Sequence, residues 1–276
     1  MKLDALLADI LDAPAVDDQI EITSVTADSR YVAPGSLFAA LPGSQVDGAR
    51  FVPNAIGAGA AAILTSLTSD VGNPDVPVLR ADDPRRILAL LAARFYARQP
   101  EHIVAVTGTS GKSSVTDFAR QIFAALGRQS ASIGTIGTIK PDGSIYGSLT
   151  TPDPVTLHME LAALADQGVT HLAFEASSHG LDQRRLDGVH LQAAAFINLG
   201  RDHLDYHPTV EAYFRAKQRL FDVLLAPDGC AVIDIDQPES AAIVDICRDR
   251  SLRMIQVGAG DSADLQLCDL VTEGFG

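Results

Sequence analysis

The sequence predicts an α/β protein in two parts. A small α/β domain over residues 1–98 precedes a central domain over residues 99–276, with a mostly parallel sheet flanked by helices. Three observations carry this reading. The chain has 276 residues, long for one domain and suited to two. From His102 onward, short apolar β-branched runs alternate with longer amphipathic ones, the order that builds a parallel sheet covered on both faces. The helical pattern over 84–97 is broken at Gln99-Pro100, because a proline disfavours helical backbone in the residue before it.

The elements follow in order. Residues 3–11 read as a short helix, 20–25 and 36–41 as strands, and 51–60 as a helix. Strands follow at 61–66 and 76–79, then the helix 84–97, whose apolar residues recur with a 3.6-residue period. In the second part strands are expected at 103–107, 131–133, 172–175, 194–198, 230–234 and 253–257. Helices are expected at 112–126, 154–167, 210–225 and 238–248. A last strand over 264–271 runs into Glu273-Gly274-Phe275-Gly276, so the pattern breaks off mid-sheet and reads as a shortened chain.

Composition excludes several classes. A formal net charge of −14 argues against an extended nucleic-acid surface, although local basic groups still permit an anionic small ligand. Cys230, Cys247 and Cys268 lie far apart and match neither a disulfide framework nor a zinc site. The N-terminal run carries acids through its apolar stretch and lacks a basic start, unlike a signal peptide. No run reaches the length of a membrane span, so a cytoplasmic protein is expected.

The densest chemistry lies at 105–114, AVTGTSGKSS. An apolar strand leads into Gly108, Gly111, Lys112 and Ser113, and an amphipathic helix follows, the order a nucleoside triphosphate requires. Glycines let backbone N–H groups approach phosphate oxygens, and the helix N-terminus adds partial positive charge. Lys112 is suited to the β/γ-phosphates and Ser113 to a magnesium ion. Val106 stands where the longer phosphate-loop pattern has its first glycine. A solvated glycine turn is the plain alternative.

Three further segments place acids, histidines and hydroxyls at expected strand ends. Thr150-Thr151-Pro152-Asp153-Pro154 enters a helix, with Asp153 as a cap and Pro154 at the first helical position. Glu175 follows an apolar strand and begins Glu175-Ala176-Ser177-Ser178-His179-Gly180, which runs on to Gln183, Arg184 and Arg185. Ligands of open α/β sheets bind at that carboxyl edge, where a carboxylate suits magnesium. The segment 198–207, NLGRDHLDYH, concentrates Asn, Arg, Asp and His. Periodicity alone reads Lys217, on the following helix, as a surface lysine with a snorkelling stem.

Together TADSR (26–30), GTSGKSS (108–114), TTPDP (150–154), EASSHGLDQRR (175–185), NLGRDHLDYH (198–207) and AYFRAKQRLF (212–221) resemble the Mur ligases. These are ATP-dependent amide-forming enzymes of peptidoglycan synthesis. The match is strongest to the MurE type, which adds the third amino acid to UDP-N-acetylmuramoyl-L-alanyl-D-glutamate. The resemblance implies that Gly108, Thr109, Ser110, Gly111, Lys112, Ser113 and Ser114 hold ATP. It implies that Ser113, Glu175, His203 and a carbamylated Lys217 hold magnesium, with Lys112, Glu175, His203 and Lys217 as the catalytic set. It assigns Ala27, Ser29, Ser44, Gln45 and Val46 to the uridine end of the substrate. Thr150, Thr151, Ser177, Gln183 and Arg185 fall to its muramoyl-dipeptide part.

The implied reaction activates the D-glutamyl carboxylate as an acyl phosphate, which the amino group of meso-diaminopimelate or L-lysine attacks. Ala176, Gly200 and Pro208 depart from the family pattern without removing a ligand. The family's third domain, with its Asp-Asn-Pro-Arg segment, is expected to be absent. The alternative is a non-catalytic module that binds nucleotide or UDP-muramoyl peptide.

Overall fold

The computed structural model describes residues 1–11, 17, 19–43, 46–145 and 149–268. The chain divides into two compact units. The first comprises Met1–Gln99 together with Asp153–Ala163 and Gln183–Val189, and the second comprises Pro100–Pro152, Leu164–Asp182 and His190–Gly276.

The first unit contains α1 (Leu3–Leu7), β1 (Ser24–Thr26), β2 (Ser36–Ala40), α2 (Val52–Gly57), β3 (Ala62–Ser66), β4 (Val78–Ala81) and α3 (Pro84–Tyr96). Its strands lie in the order β1-β2-β3-β4, and every pair is parallel. Side chains alternate across β2 as the pleat requires. Leu37 and Ala39 join Leu3, Leu6, Leu64, Leu79, Leu88 and Leu91 on one face. Phe38 and Ala40 join Val52, Ala55 and Ile63 on the other. A strand buried on both faces reads as a continuous apolar run, which is why its position was legible. Helix α3 starts where the Asp83 side chain accepts the Arg86 N–H and Pro84 takes the first turn; it ends at Ala97, in left-handed backbone.

Two expectations in this unit are corrected. The first helix stops at Leu7 rather than Leu11, because Ala8 leaves helical backbone and Asp9 turns left-handed at φ +58°. The strand expected at 20–25 is β1 alone. Its first half pairs back to the chain start, with Leu3 N–H donating to Ile20 O and Ile22 N–H to Met1 O.

In the second unit β5 (His102–Thr107) leads to α4 (Lys112–Ala125), β6 (Ser130–Gly134), β7 (Gly137–Lys140) and β8 (Gly143–Ile145). After them come α5 (Pro154–Asp166), whose residues 154–163 belong to the first unit, and then β9 (His171–Glu175), α6 (Ser178–Asp182), β10 (Leu191–Phe196) and α7 (Val210–Arg219). The last elements are β11 (Leu225–Asp234), α8 (Ser240–Asp249), β12 (Arg253–Gly258) and β13 (Leu265–Gln266). The described strands lie in the order β13-β12-β11-β10-β5-β9-β6-β7-β8. Pairing is parallel from β13 to β6 and antiparallel in β6·β7 and β7·β8.

The β7–β8 hairpin was not expected; its strands are short, and its one sequence signal is the Pro141-Asp142-Gly143 turn. The strand expected at 194–198 ends at Phe196, leaving Asn198 beyond it. Helix α7 closes at Arg219 and continues as a wider π-type turn over Leu220–Leu224. β13 covers only Leu265–Gln266, and residues 269–271 of the expected last strand lie outside the described residues. No helix among the described residues is long and apolar enough to cross a membrane.

This order positions the site. The chain leaves β5 on one side for β6 and returns to form β9 against β5. It then crosses to form β10 on the other flank of β5. The carboxyl ends of β9, β5 and β10 therefore lie side by side at a reversal of strand order, where open α/β sheets bind ligands.

Candidate active site at the sheet edge

The loop after β5 needs its glycines for two separate reasons. Gly111 sits at φ +81°, a backbone region that L side chains rarely adopt, and a Cβ on Gly108 would fall 2.4 Å from Ile197 Cγ1. Asn198 clamps the loop. Its carboxamide oxygen accepts the N–H groups of Thr109 and Ser110 at 2.9 and 3.0 Å, and its carboxamide nitrogen donates to Ser110 O at 3.1 Å. Gly200 N–H donates to the Thr109 hydroxyl at 2.7 Å, and that hydroxyl meets Tyr213 OH at 3.1 Å. Helix α4 begins after Gly111 with no side-chain cap on its first turn. Its leading N–H groups and dipole are thus of the kind that receives an anion.

Two ammonium groups converge on one carbonyl of this loop. Lys112 Nζ donates to Gly108 O at 3.0 Å and to Thr109 O at 2.9 Å, and Lys217 Nζ donates to Gly108 O at 2.8 Å. Lys217 also lies 4.3 Å from the centre of the Tyr213 ring and is 1% exposed. Burial lowers the pKa of Lys112, with Glu175 and Asp202 opposing the shift. Burial pushes Lys217 down to about 7, the Lys112 charge adding to the effect and Asp202 opposing it. The surface lysine expected from periodicity is therefore a core residue. Tyr213, Lys217 and Leu220 follow a helical spacing and are all buried.

Glu175 closes β9 and is 1% exposed. Its carboxylate accepts the Thr135 N–H on Oε1 at 2.8 Å and the Thr135 hydroxyl on Oε2 at 3.2 Å. A Cβ on Gly134 would lie 2.0 Å from Oε1. The Thr151 hydroxyl donates to Glu175 O at 2.8 Å and meets Ser177 Oγ at 2.9 Å. Ser177 Oγ accepts the Gly180 N–H, and Thr150 Oγ1 lies 3.1 Å from Thr135 Oγ1. Thr150, Thr151, Ser177 and Glu175 thus form one hydroxyl-rich cluster.

The 198–207 segment gathers aromatic rings. His203 adopts left-handed backbone at φ +53° and places Nε2 3.6 Å from Asp202 Oδ2. His179 packs against His203, Tyr206 and His207, and His207 against Tyr213. Tyr206 OH donates to Asp182 Oδ2 at 2.8 Å. His207 is buried with Nε2 lacking a hydrogen-bond partner, and burial lowers its pKa.

Among the described residues, no three His, Cys, Asp or Glu side chains converge as a ready metal set. The donors nevertheless suit magnesium in part. Glu175 offers a buried carboxylate with both oxygens oriented, and Ser113 a hydroxyl in the first turn of α4. As an ammonium, Lys217 repels a cation; it suits one only as a carbamate.

In the first unit a cavity of about 700 Å3 is lined by residues that include Ala27, Asp28, Tyr31, Arg85, Gln183 and Arg185. Arg185 Nη2 donates to Gln183 Oε1 at 2.7 Å, and Arg85 Nη2 donates to Pro42 O at 2.6 Å. Ser29 begins a short 3-10 turn and Val46 is exposed; neither belongs to the lining. Ser44 and Gln45 lie outside the described residues. Sequence reasoning missed Thr135, Tyr213 and Arg85 as site residues. For Tyr213 the signal was its four-residue spacing from Lys217, and for Thr135 its place at the end of an apolar strand.

A glycine loop and lysine at the end of a central parallel strand, beside a carboxylate on the next strand, define a phosphate-binding α/β protein of the nucleotide-binding kind. Family comparison makes this specific. Residues 106–274 match the Mur ligase middle domain, and residues 21–96 match a second Mur ligase family domain, described as catalytic. The chain belongs to the Mur ligase family.

It is 53% identical over 279 aligned residues to the UDP-N-acetylmuramoyl-L-alanyl-D-glutamate--2,6-diaminopimelate ligase of Bradyrhizobium diazoefficiens, covering 100% of this chain and 57% of that protein. It is 56% identical over 239 residues to the enzyme of the same name from Agrobacterium fabrum, covering 87% of this chain and 48% of that protein. A solved structure of a UDP-N-acetylmuramoyl-L-alanyl-D-glutamate--2,6-diaminopimelate ligase superimposes with a TM-score of 0.83 at 28% identity, covering 96% of this chain and 54% of that one. The chain thus spans about half the length of the relatives it matches.

Proposed function

We propose that this chain carries the nucleotide and UDP-muramoyl-dipeptide sites of a cytoplasmic, ATP-dependent ligase. The reaction joins an amino group of 2,6-diaminopimelate to the D-glutamyl carboxylate of UDP-N-acetylmuramoyl-L-alanyl-D-glutamate. The observation that carries this reading is the pair of lysines on Gly108 O, in a loop clamped by Asn198 and electrostatically coupled to Glu175. Diaminopimelate is favoured over L-lysine by the names of the relatives.

A carboxylate is a poor electrophile at neutral pH, so it must first be activated, and membership of the Mur ligase family supports activation as an acyl phosphate. In this reading Gly108–Ser114 orient the triphosphate, and Lys112 with the α4 N-terminus offsets charge on the moving phosphoryl group. Ser113, Glu175, His203 and Lys217 would hold magnesium, which supplies further charge neutralisation when bound. A lysine with a pKa of about 7 is roughly half free amine at neutral pH. That amine adds to carbon dioxide and loses a proton, so the buried cation becomes an anionic oxygen donor. Thr150, Thr151, Ser177, Gln183 and Arg185 would hold the muramoyl-dipeptide part of the substrate, and Ala27, Ser29, Ser44, Gln45 and Val46 its uridine end.

Thermal unfolding of this chain tests the substrate assignment. UDP-N-acetylmuramoyl-L-alanyl-D-glutamate at millimolar concentration is expected to raise the melting temperature, and UDP alone to raise it less. Unchanged melting would remove the assignment.

A further inference from the structure

Thr135 lies outside the six segments that carry the family resemblance, yet among the described residues it makes both hydrogen bonds to the Glu175 carboxylate. Its N–H holds Oε1 at 2.8 Å and its hydroxyl holds Oε2 at 3.2 Å. The carboxylate is 1% exposed, and Gly134 has no Cβ to displace it. The geometry fixes the direction of the next hydrogen bond. An ionised carboxylate can only accept, so the single hydroxyl proton of Thr135 is committed to Glu175. At 3.1 Å from it, the Thr150 hydroxyl must then be the donor to Thr135 Oγ1. In that arrangement Thr150 presents its lone pairs, which accept from an N–H or O–H of a bound molecule.

We propose that Thr135 is a positioning residue that aims the Glu175 carboxylate at magnesium and links it, through the directed Thr150–Thr135–Glu175 hydrogen bonds, to the Thr150 end of the dipeptide segment. The proposal rests on the reading of Glu175 as a magnesium ligand. It adds two things: the group that orients this ligand, and the polarity with which Thr150 meets its substrate.

The test measures metal binding without turnover, using Mn2+ as the probe. Free Mn2+ is followed by electron paramagnetic resonance in the presence of ADP, for the wild-type chain and for Thr135→Val, Thr135→Ser and Glu175→Gln, each checked for native melting. Thr135→Val keeps the shape and the backbone N–H but removes the hydroxyl. A hydrogen bond to a charged group sets the scale, and Mn2+ affinity is expected to fall about 10-fold. Thr135→Ser restores the hydroxyl and is expected to stay within about 2-fold of wild type. A Thr135→Val protein with wild-type Mn2+ affinity, beside a weakened Glu175→Gln, overturns the positioning role alone. An unaffected Glu175→Gln overturns the metal reading of Glu175 and this proposal with it.

Discussion

The burial of Lys217 makes a quantitative prediction. In bicarbonate-free buffer the folded chain holds this ammonium against burial and against Lys112, with its pKa pushed down to about 7. The unfolded chain carries a lysine near the ordinary value of about 10.4. Between those values the unfolded state binds more protons, so stability rises with pH through that window and levels off above it. Below about pH 7 both states are protonated and the cost is complete, on the order of 4–5 kcal/mol at ~1.4 kcal/mol per pKa unit. Over the accessible range from pH 7 to pH 9 the wild type should regain about 2 kcal/mol. Lys217→Met fills similar space with no charge and removes this component. Urea unfolding of both proteins at pH 7, 8 and 9 reads it out, because groups other than Lys112 and His207, which feel the Lys217 charge, titrate equally in the two chains. The variant is expected to be the more stable at pH 7, with the gap narrowing by about 2 kcal/mol at pH 9. Parallel stability profiles would refute the claim that a buried ammonium is held at this position.

Other substitutions probe the rest of the site. Asn198→Leu removes three hydrogen bonds to the phosphate loop and is expected to weaken ADP binding at least about 10-fold by calorimetry, with folding retained. Gly134→Ala places a methyl 2.0 Å from Glu175 Oε1, and urea unfolding should show a loss of about 1–3 kcal/mol from overpacking. Arg185→Ala in the first-unit cavity is expected to abolish thermal stabilisation by UDP-N-acetylmuramoyl-L-alanyl-D-glutamate while leaving that by ADP intact.

The legible parts of this protein were those written in local spacing. Gly108 and Gly111 announce a loop because only glycine meets both the positive φ and the contact with Ile197. Glu175 and Asn198 announce strand ends because apolar runs lead into them. What stayed hidden depends on contacts distant in sequence. Lys217 reads as solvated until β5 brings the Gly108 carbonyl to it, and the grip of Thr135 on Glu175 exists only because β6 pairs with β9. Residues 153–163 and 183–189 return to the first unit through such contacts, with Val155 against the Leu3–Leu91 core and Arg184 paired to Asp83 at 2.7 Å. No linear reading of domain boundaries carries that information.

Two separate ligand sites on this one chain are the central claim, and calorimetry with two variants tests it most directly. ADP with magnesium and UDP-N-acetylmuramoyl-L-alanyl-D-glutamate are each expected to bind with one-to-one stoichiometry. Lys112→Ala should abolish the first and spare the second, while Arg185→Ala should do the reverse. Loss of both ligands in either variant, or binding of neither by the wild-type chain, would contradict it.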